Sequence, residues 1–135
     1  MKIAEYISGD STTVVFMDCG QEDYDVECVL QRLEHSGNND YNQIIALLDK
    51  TGKHGVVFNA RKTKCLTGDA KPLCEFRARN GTRILWFYDR TQRNYIVCTH
   101  AFIKKTDGTD RQEIKRGKER LSLYYEWRNA NEPQR

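Results

Sequence analysis

The sequence of 135 residues lacks any long hydrophobic run. No apolar stretch approaches the ~20 residues that a membrane-spanning helix needs, so no membrane association is expected. The first ten residues, MKIAEYISGD, contain acidic side chains and no apolar core, and they do not resemble a secretory signal. With 39% hydrophobic and 30% charged residues, the composition predicts a soluble globular protein with a single domain over residues 1–135.

Motifs for metal binding and for common catalytic machinery are also missing. The five cysteines, Cys19, Cys28, Cys65, Cys74 and Cys98, are odd in number and widely spaced, and without a CxxC pair no zinc site is expected. They are predicted to be free thiols of a protein in a reducing cytoplasm. No P-loop, HExxH, EF-hand or nucleophile-elbow pattern occurs. The sequence therefore predicts no metal and no cofactor.

Charge is distributed unevenly along the chain. Residues 1–49 hold 2 Lys/Arg and 10 Asp/Glu, whereas residues 50–128 hold 19 basic and 8 acidic residues, although the whole chain carries only +3. A basic half of this kind is typical of proteins with an anionic partner such as a nucleic acid. A basic surface that is merely solvated would give the same composition, so charge leaves both interpretations open.

Apolar periodicity and turn signals predict the α+β class. Strands are expected at residues 12–18, 73–79, 82–89 and 95–103, with an Asn-Gly turn joining the second and third. A helical hairpin is expected within residues 24–51, and a last helix over residues 110–127, with Asp110 as its N-cap and Glu113 completing a capping box. Residues 1–10 are an uncertain extension, residues 52–70 a basic connector and residues 129–135 a tail. The expected architecture is an antiparallel sheet of about four strands with helices covering one face.

Basic side chains converge on the predicted sheet from several directions. Arg77 and Arg79 share one face of their strand, and Arg83 follows across the Asn-Gly turn. Further cations come from the end of the last strand and from the connector: Lys104, Lys105, Lys62, Lys64 and Lys71. Together they would form a concave site for phosphates, which Arg binds bidentately and Lys binds as a point charge. The alternative is that Arg77 pairs with a helix carboxylate and the lysines only terminate a strand.

Two further side chain types have both structural and functional interpretations. His100 lies in an apolar strand, where it is either a hydrogen-bonded structural residue or an acid–base group. Tyr88, Tyr124 and Tyr125 are either stacking platforms for bases or residues at the edge of the core.

Several short motifs in residues 60–125 resemble one known family. Glu75-Phe76-Arg77 stands where the family has "ELR", and RILWFY at 83–88 is similar to "yRilYff". HAFIKKT at 100–106 matches "hgFiKKt", while Glu113, Ile114, Arg120 and Tyr124 match "eI..A..R..dy", with Gly117 in place of the usual Ala. The pattern is similar to that of the phage-derived, HigB-like branch of the RelE/ParE toxin superfamily.

The resemblance implies a RelE-like fold and the toxin of a type II toxin–antitoxin module. Such toxins are metal-independent endoribonucleases that cut mRNA, often on the ribosome, and a helix-turn-helix (HigA-like) antitoxin neutralises them. Together with the basic cluster, the resemblance predicts that the catalytic residues are Arg77, Arg83, Lys104 and Lys105. The residues predicted to contact RNA are Lys62, Lys64, Lys71, Arg79, His100, Arg120 and Tyr124. A ParE-like gyrase inhibitor and an inactive member that only binds its antitoxin remain alternatives.

Overall fold

The computed structural model describes residues 1–59, 61–105 and 110–131, which form six strands and three α-helices. The elements are β1 (Lys2–Ser8), β2 (Thr13–Asp18), α1 (Val26–His35), α2 (Asp40–His54), β3 (Thr63–Cys65), β4 (Cys74–Arg77), β5 (Thr82–Tyr88), β6 (Tyr95–Ile103) and α3 (Arg111–Asn131). A short 3-10 turn, Gly68–Ala70, lies between β3 and β4. The α+β class, all four predicted strands and all three predicted helices are confirmed. None of the helices in these ranges is long and apolar enough to cross a membrane.

The strands form one sheet in the order β1-β2-β6-β5-β4-β3. Two of its edge strands were not predicted: β1 lies in the segment treated as an uncertain extension, and β3 lies in the basic connector. Both are partly exposed at the sheet edges and therefore lack a continuous apolar pattern. The sheet is also mixed, because β2 pairs with β6 in parallel while the other pairs are antiparallel. The chain passes through α1, α2, β3, β4 and β5 between these two strands, and periodicity alone does not place the ends of so long a connection next to each other.

Helices cover both faces of the sheet, whereas the sequence predicted helices on one face only. On one face, α1 and α2 bury residues such as Leu30 and Leu48 against Phe76, Ile84 and Trp86. On the other face, α3 packs through side chains that include Tyr124 and Leu121, against a sheet layer that includes Leu73, Leu85, Phe87 and Val97. Strand β5 is apolar at nearly every position because it lies in the middle of this three-layer structure.

The start of α3 agrees with the sequence prediction. The Oδ1 atom of Asp110 accepts a hydrogen bond from the backbone N–H of Gln112 at 2.9 Å, so this side chain caps the helix. The helix continues to Asn131 and so takes in residues 129–131 of the predicted tail. Residues 132–135 of that tail, and Thr106 of the HAFIKKT motif, lie outside the described residues.

One pair of cysteines is oxidised, which corrects the prediction that all five are free thiols. Cys65 and Cys74 are directly opposed in the antiparallel β3–β4 pair, and their sulfur atoms are bonded. Cys19, Cys28 and Cys98 are free. The pairing depends on the register of an edge strand that the sequence did not reveal. The disulfide links β3 to the sheet next to Lys64 and Glu75, which are also opposed.

Gly117 lets α3 approach the sheet closely, and we expect Gly117→Ala to be destabilising. An added Cβ would lie 2.8 Å from Cδ1 of Leu73 and 3.2 Å from Cδ1 of Leu85, both fully buried. Alanine gains about 1 kcal/mol of helix propensity, but overpacking a core costs about 1–3 kcal/mol. A net loss of about 1 kcal/mol should be measurable by urea denaturation. Ser122→Ala, at an exposed position of the same helix, is the control and should be neutral or stabilising. A stabilised Gly117→Ala variant would contradict this account of the packing.

Candidate nucleic-acid interface

A shallow cleft lies on the α3 face of the sheet, beside the first turn of α3. We call it the sheet–helix cleft, and its lining residues are Lys64, Leu66, Glu75, Arg77, Leu85, Phe102, Lys104, Asp110, Glu113 and Ile114. The strand register explains its floor. Two neighbouring cross-strand rows run across it, Arg77–Arg83–Phe102 and Lys64–Glu75–Leu85–His100. Residues far apart in the sequence thereby meet on one surface.

Arg77 and Arg83 are held by one buried carboxylate on the cleft floor. Oε1 of Glu75 lies 3.1 Å from Nε of Arg77 and 3.7 Å from Nε of Arg83. One partner of Arg77 is therefore a carboxylate two residues earlier on its own strand, whereas the alternative interpretation placed the carboxylate on a helix. The Arg77 side chain is 24% exposed and lines the cleft. Its charge is positioned rather than mobile, which is what recognition of a phosphate requires.

Arg83 is much more enclosed than its neighbour. Its Nη1 donates to the backbone oxygens of Ala78 at 2.8 Å and Thr82 at 3.0 Å, which fixes the β4–β5 turn. Burial, followed by the nearby Arg77 guanidinium, lowers the pKa of Arg83. The predicted catalytic residue Arg83 is thus placed to orient Glu75 and Arg77 from beneath the cleft.

The end of β6 is fixed by a close contact with the Asn-Gly turn. The N–H of Lys104 donates to the oxygen of Gly81 at 2.7 Å. Gly81 has φ +104°, and a Cβ there would lie 2.6 Å from the oxygen of Lys104, so only glycine fits without a shift. The side chain of Lys104 lines the sheet–helix cleft, while Lys105 is exposed and is not among the residues that line it. The two adjacent lysines therefore have different surroundings.

The remaining predicted surface cations fall into three places. Lys64 lines the sheet–helix cleft. Lys62 and Arg79 line a second groove, the α2 groove, whose lining residues are Asn42, Gln43, Ala46, Leu47, Lys50, Arg61, Lys62, Arg77 and Arg79. Lys71 is exposed beside α3, where its backbone oxygen accepts a hydrogen bond from Nζ of Lys118 at 2.5 Å.

His100 is fully buried and neutral. Burial, together with the nearby Arg120 and Arg116 guanidinium groups, lowers the pKa of His100 to about 3. Its Nδ1 lies 2.9 Å from Oγ1 of Thr99, and its Nε2 lies 3.5 Å from Oε2 of Glu113. Since the ring carries no charge at neutral pH, the contact with Glu113 is not an ion pair. A buried neutral ring cannot touch RNA directly, so His100 supports the cleft from below.

Protonation of His100 should make stability depend on pH. Its ordinary pKa is 6.5, so below that pH the unfolded chain takes up a proton that the folded protein does not. The stability contributed by the neutral His100 ring should be fully present above pH 6.5. Below that pH, the free energy of unfolding should fall by about 1.4 kcal/mol per pH unit. Urea denaturation between pH 7.5 and 5 measures this slope. His100→Asn should flatten it, whereas His35→Asn, at an exposed position, should leave it unchanged. An equal slope in the His100 variant would exclude this histidine as the source.

Arg120 and Tyr124, predicted to contact RNA, are also in the interior. Nη1 of Arg120 lies 2.9 Å from Oδ1 of buried Asp25 and donates to the oxygen of Thr99 at 2.8 Å. The hydroxyl of Tyr124 donates to Oδ2 of Asp89. Both residues are buried. Their positions in the family motif therefore have a structural explanation: they fasten α3 to the sheet.

Sequence reasoning missed the acidic members of the sheet–helix cleft. Glu75, Asp110 and Glu113 line it alongside the cations, and Glu113 also pairs with Arg116. The signal for Glu75 was present, because it shares a strand face with Arg77 at a spacing of two. Glu113 was interpreted as part of a capping box, but its carboxylate lies beside His100 and Arg116 instead.

A comparison with known protein families identifies the family of this chain. Residues 31–122 match the model of the family "Phage derived protein Gp49-like (DUF891)", which covers more than half of the chain. The protein belongs to this family, a RelE-like family related to the toxins of toxin–antitoxin systems. A comparison with curated proteins gives no significant match.

Proposed function

We propose that the protein is a HigB-like toxin of a type II toxin–antitoxin module and that it cuts mRNA as a metal-independent endoribonuclease. The observation that carries the proposal is the sheet–helix cleft, where Lys64, Arg77 and Lys104 come together from three strand regions. Cations fixed beside a cleft are suited to binding a phosphodiester and its transition state. Membership of the Gp49-like family supports the same class of activity.

The chemistry that fits this site is attack of a ribose 2′-oxygen on the adjacent phosphorus. The 2′-hydroxyl gives its proton to water as the O2′–P bond forms, and the departing 5′-oxygen takes a proton from water as the P–O5′ bond breaks. The products carry a 2′,3′-cyclic phosphate and a 5′-hydroxyl. The phosphorane gains negative charge on its non-bridging oxygens. Arg77 and Lys104 are the groups proposed to stabilise that charge, since both line the cleft. Glu75 holds the side chain of Arg77, and the hydrogen bond to Gly81 fixes the backbone of Lys104. Arg83 acts as a positioning residue through Glu75.

The partners that follow from this proposal are mRNA, the ribosome and an antitoxin. The basic half of the chain, with 19 basic and 8 acidic residues over 50–128, suits an RNA substrate and a ribosomal surface. A helix-turn-helix, HigA-like antitoxin is proposed to neutralise the toxin, as the family resemblance implies.

RNA cleavage after induced expression tests the proposed function. Cells expressing the protein should stop growing, and primer extension on a reporter mRNA should show cuts within codons. Purified protein with RNA, with and without ribosomes, should give 2′,3′-cyclic phosphate ends. Growth arrest with DNA double-strand breaks and intact mRNA would instead identify a gyrase inhibitor. An absence of toxicity and of cleavage would indicate a family member that only binds its antitoxin.

A further inference from the structure

The α2 groove is strongly basic, and of its cations only Arg77 takes part in the proposed reaction. Five of the nine residues that line it are cations: Lys50, Arg61, Lys62, Arg77 and Arg79. None of the described residues that line it is acidic. This contrasts with the sheet–helix cleft, where three carboxylates stand among the cations. A groove of this charge is complementary to a polyanion.

The groove has fixed walls. The N–H of Arg79 donates to Oε1 of Gln43 at 2.8 Å, which joins the end of β4 to α2. Nearby, the buried carboxylate of Asp40 accepts hydrogen bonds from the N–H groups of Asn80 at 2.9 Å and Thr82 at 3.1 Å. These contacts hold α2 against the β4–β5 turn. The backbone of α2 and that of the end of β4 are thereby held together in advance of binding.

Arg77 connects the groove to the sheet–helix cleft, because it lines both. It is the last residue of β4. A strand of RNA with its scissile phosphate in the cleft would therefore have neighbouring phosphates at the groove. Lys50 and Arg61 extend this basic surface beyond the residues that the sequence had indicated.

We propose that the α2 groove binds the sugar–phosphate backbone of single-stranded RNA that flanks the cleaved bond. The inference rests on the proposed RNA-cleaving function, because that function places the scissile phosphate in the sheet–helix cleft. Binding of RNA to the groove itself requires no cleavage. Lys50 and Arg61 each neutralise one phosphate. Affinity for a long RNA should therefore depend on these two residues and on salt.

The test compares two variants with the same change of charge. Lys50→Gln/Arg61→Gln removes two exposed cations of the groove, and Lys2→Gln/Arg93→Gln removes two exposed cations from elsewhere. The probe is a fluorescein-labelled, 2′-O-methylated 12-nucleotide RNA, which cannot be cleaved, and binding is measured by anisotropy. For the groove variant we expect affinity to fall about tenfold and the slope of log K against log salt to become shallower by about 1.4. The control variant should bind like the wild type.

Every outcome decides the inference independently of the nuclease assay. A loss confined to the groove variant supports RNA binding there, even when a cleavable 12-mer proves stable and the proposed function fails. An equal loss in both variants, or no binding of the 12-mer by the wild type, overturns it. A groove variant that binds RNA normally but no longer binds a synthetic Glu/Leu amphipathic peptide would identify a protein-docking groove, which also overturns it.

Discussion

Arg77→Ala and Lys104→Ala are each expected to reduce RNA cleavage about a hundredfold while leaving the protein folded. A preorganised charged donor at a developing anion is worth on the order of 3 kcal/mol, which corresponds to that factor. Arg77 is 24% exposed, and its loss leaves Glu75 beside Arg83 at 3.7 Å, so no buried charge is stranded. The measurements are the rate of cleavage of a labelled RNA, growth after induction, and the melting temperature of each variant.

Three other variants make this prediction specific. Arg93→Ala, at an exposed position outside the cleft, should cleave like the wild type. Lys105→Ala should have a smaller effect than Lys104→Ala, because Lys105 is exposed and is not among the residues lining the cleft. Arg83→Ala should lower both activity and melting temperature, since Arg83 also holds the β4–β5 turn. Full activity in the Arg77 and Lys104 variants would show that the sheet–helix cleft is not the site.

Arg120→Ala is expected to lower the free energy of unfolding by about 3–5 kcal/mol, because it leaves a buried carboxylate without its cation. Asp25 and Arg120 are both about 95% buried and lie 2.9 Å apart. Arg120 also donates to Oε1 of Gln21 at 2.6 Å, so one guanidinium ties α3 to β6 and to the segment before α1. Urea denaturation at neutral pH measures the loss.

Arg111→Ala is the matched control, since Arg111 is exposed on the same helix and should change stability by less than about 0.5 kcal/mol. The two interpretations of Arg120 make opposite predictions. If Arg120 is structural, the Arg120→Ala variant should be destabilised while its folded fraction still binds RNA. If Arg120→Ala keeps its stability and loses RNA affinity, the sequence-based assignment as an RNA contact is correct after all.

The sequence predicted the elements whose signals lie in short stretches of neighbouring residues. The alternation in β4 placed Glu75 and Arg77 on one face, and the Asn-Gly turn predicted the β4–β5 hairpin. The apolar run of β5 predicted a central strand, and Asp110 predicted the start of α3. Each signal depends on a few neighbouring residues, so it can be read without knowledge of the rest of the chain.

Edge strands and the path of the chain between elements gave no such signal. Strands β1 and β3 are half exposed. The parallel β2–β6 pair joins strands that are separated in the chain by two helices and three other strands. The Cys65–Cys74 bond depends on the register of β3. The edge strands have no periodic pattern, because their solvent-facing positions are free to vary in polarity. The disulfide and the parallel pair depend on contacts between residues that are distant in the sequence or in different strands.

The basic residues show most clearly what the sequence determined and what the tertiary structure decided. Composition by itself determined that most basic residues lie in the second half of the chain, and motifs predicted by resemblance that Arg77 and Lys104 belong to the site. Only the tertiary structure decided which cations share a surface, because burial and pairing are properties of the packed layers. The packing of α3 on the sheet put His100, Arg120 and Tyr124 in the interior and left Lys64, Arg77 and Lys104 at the cleft.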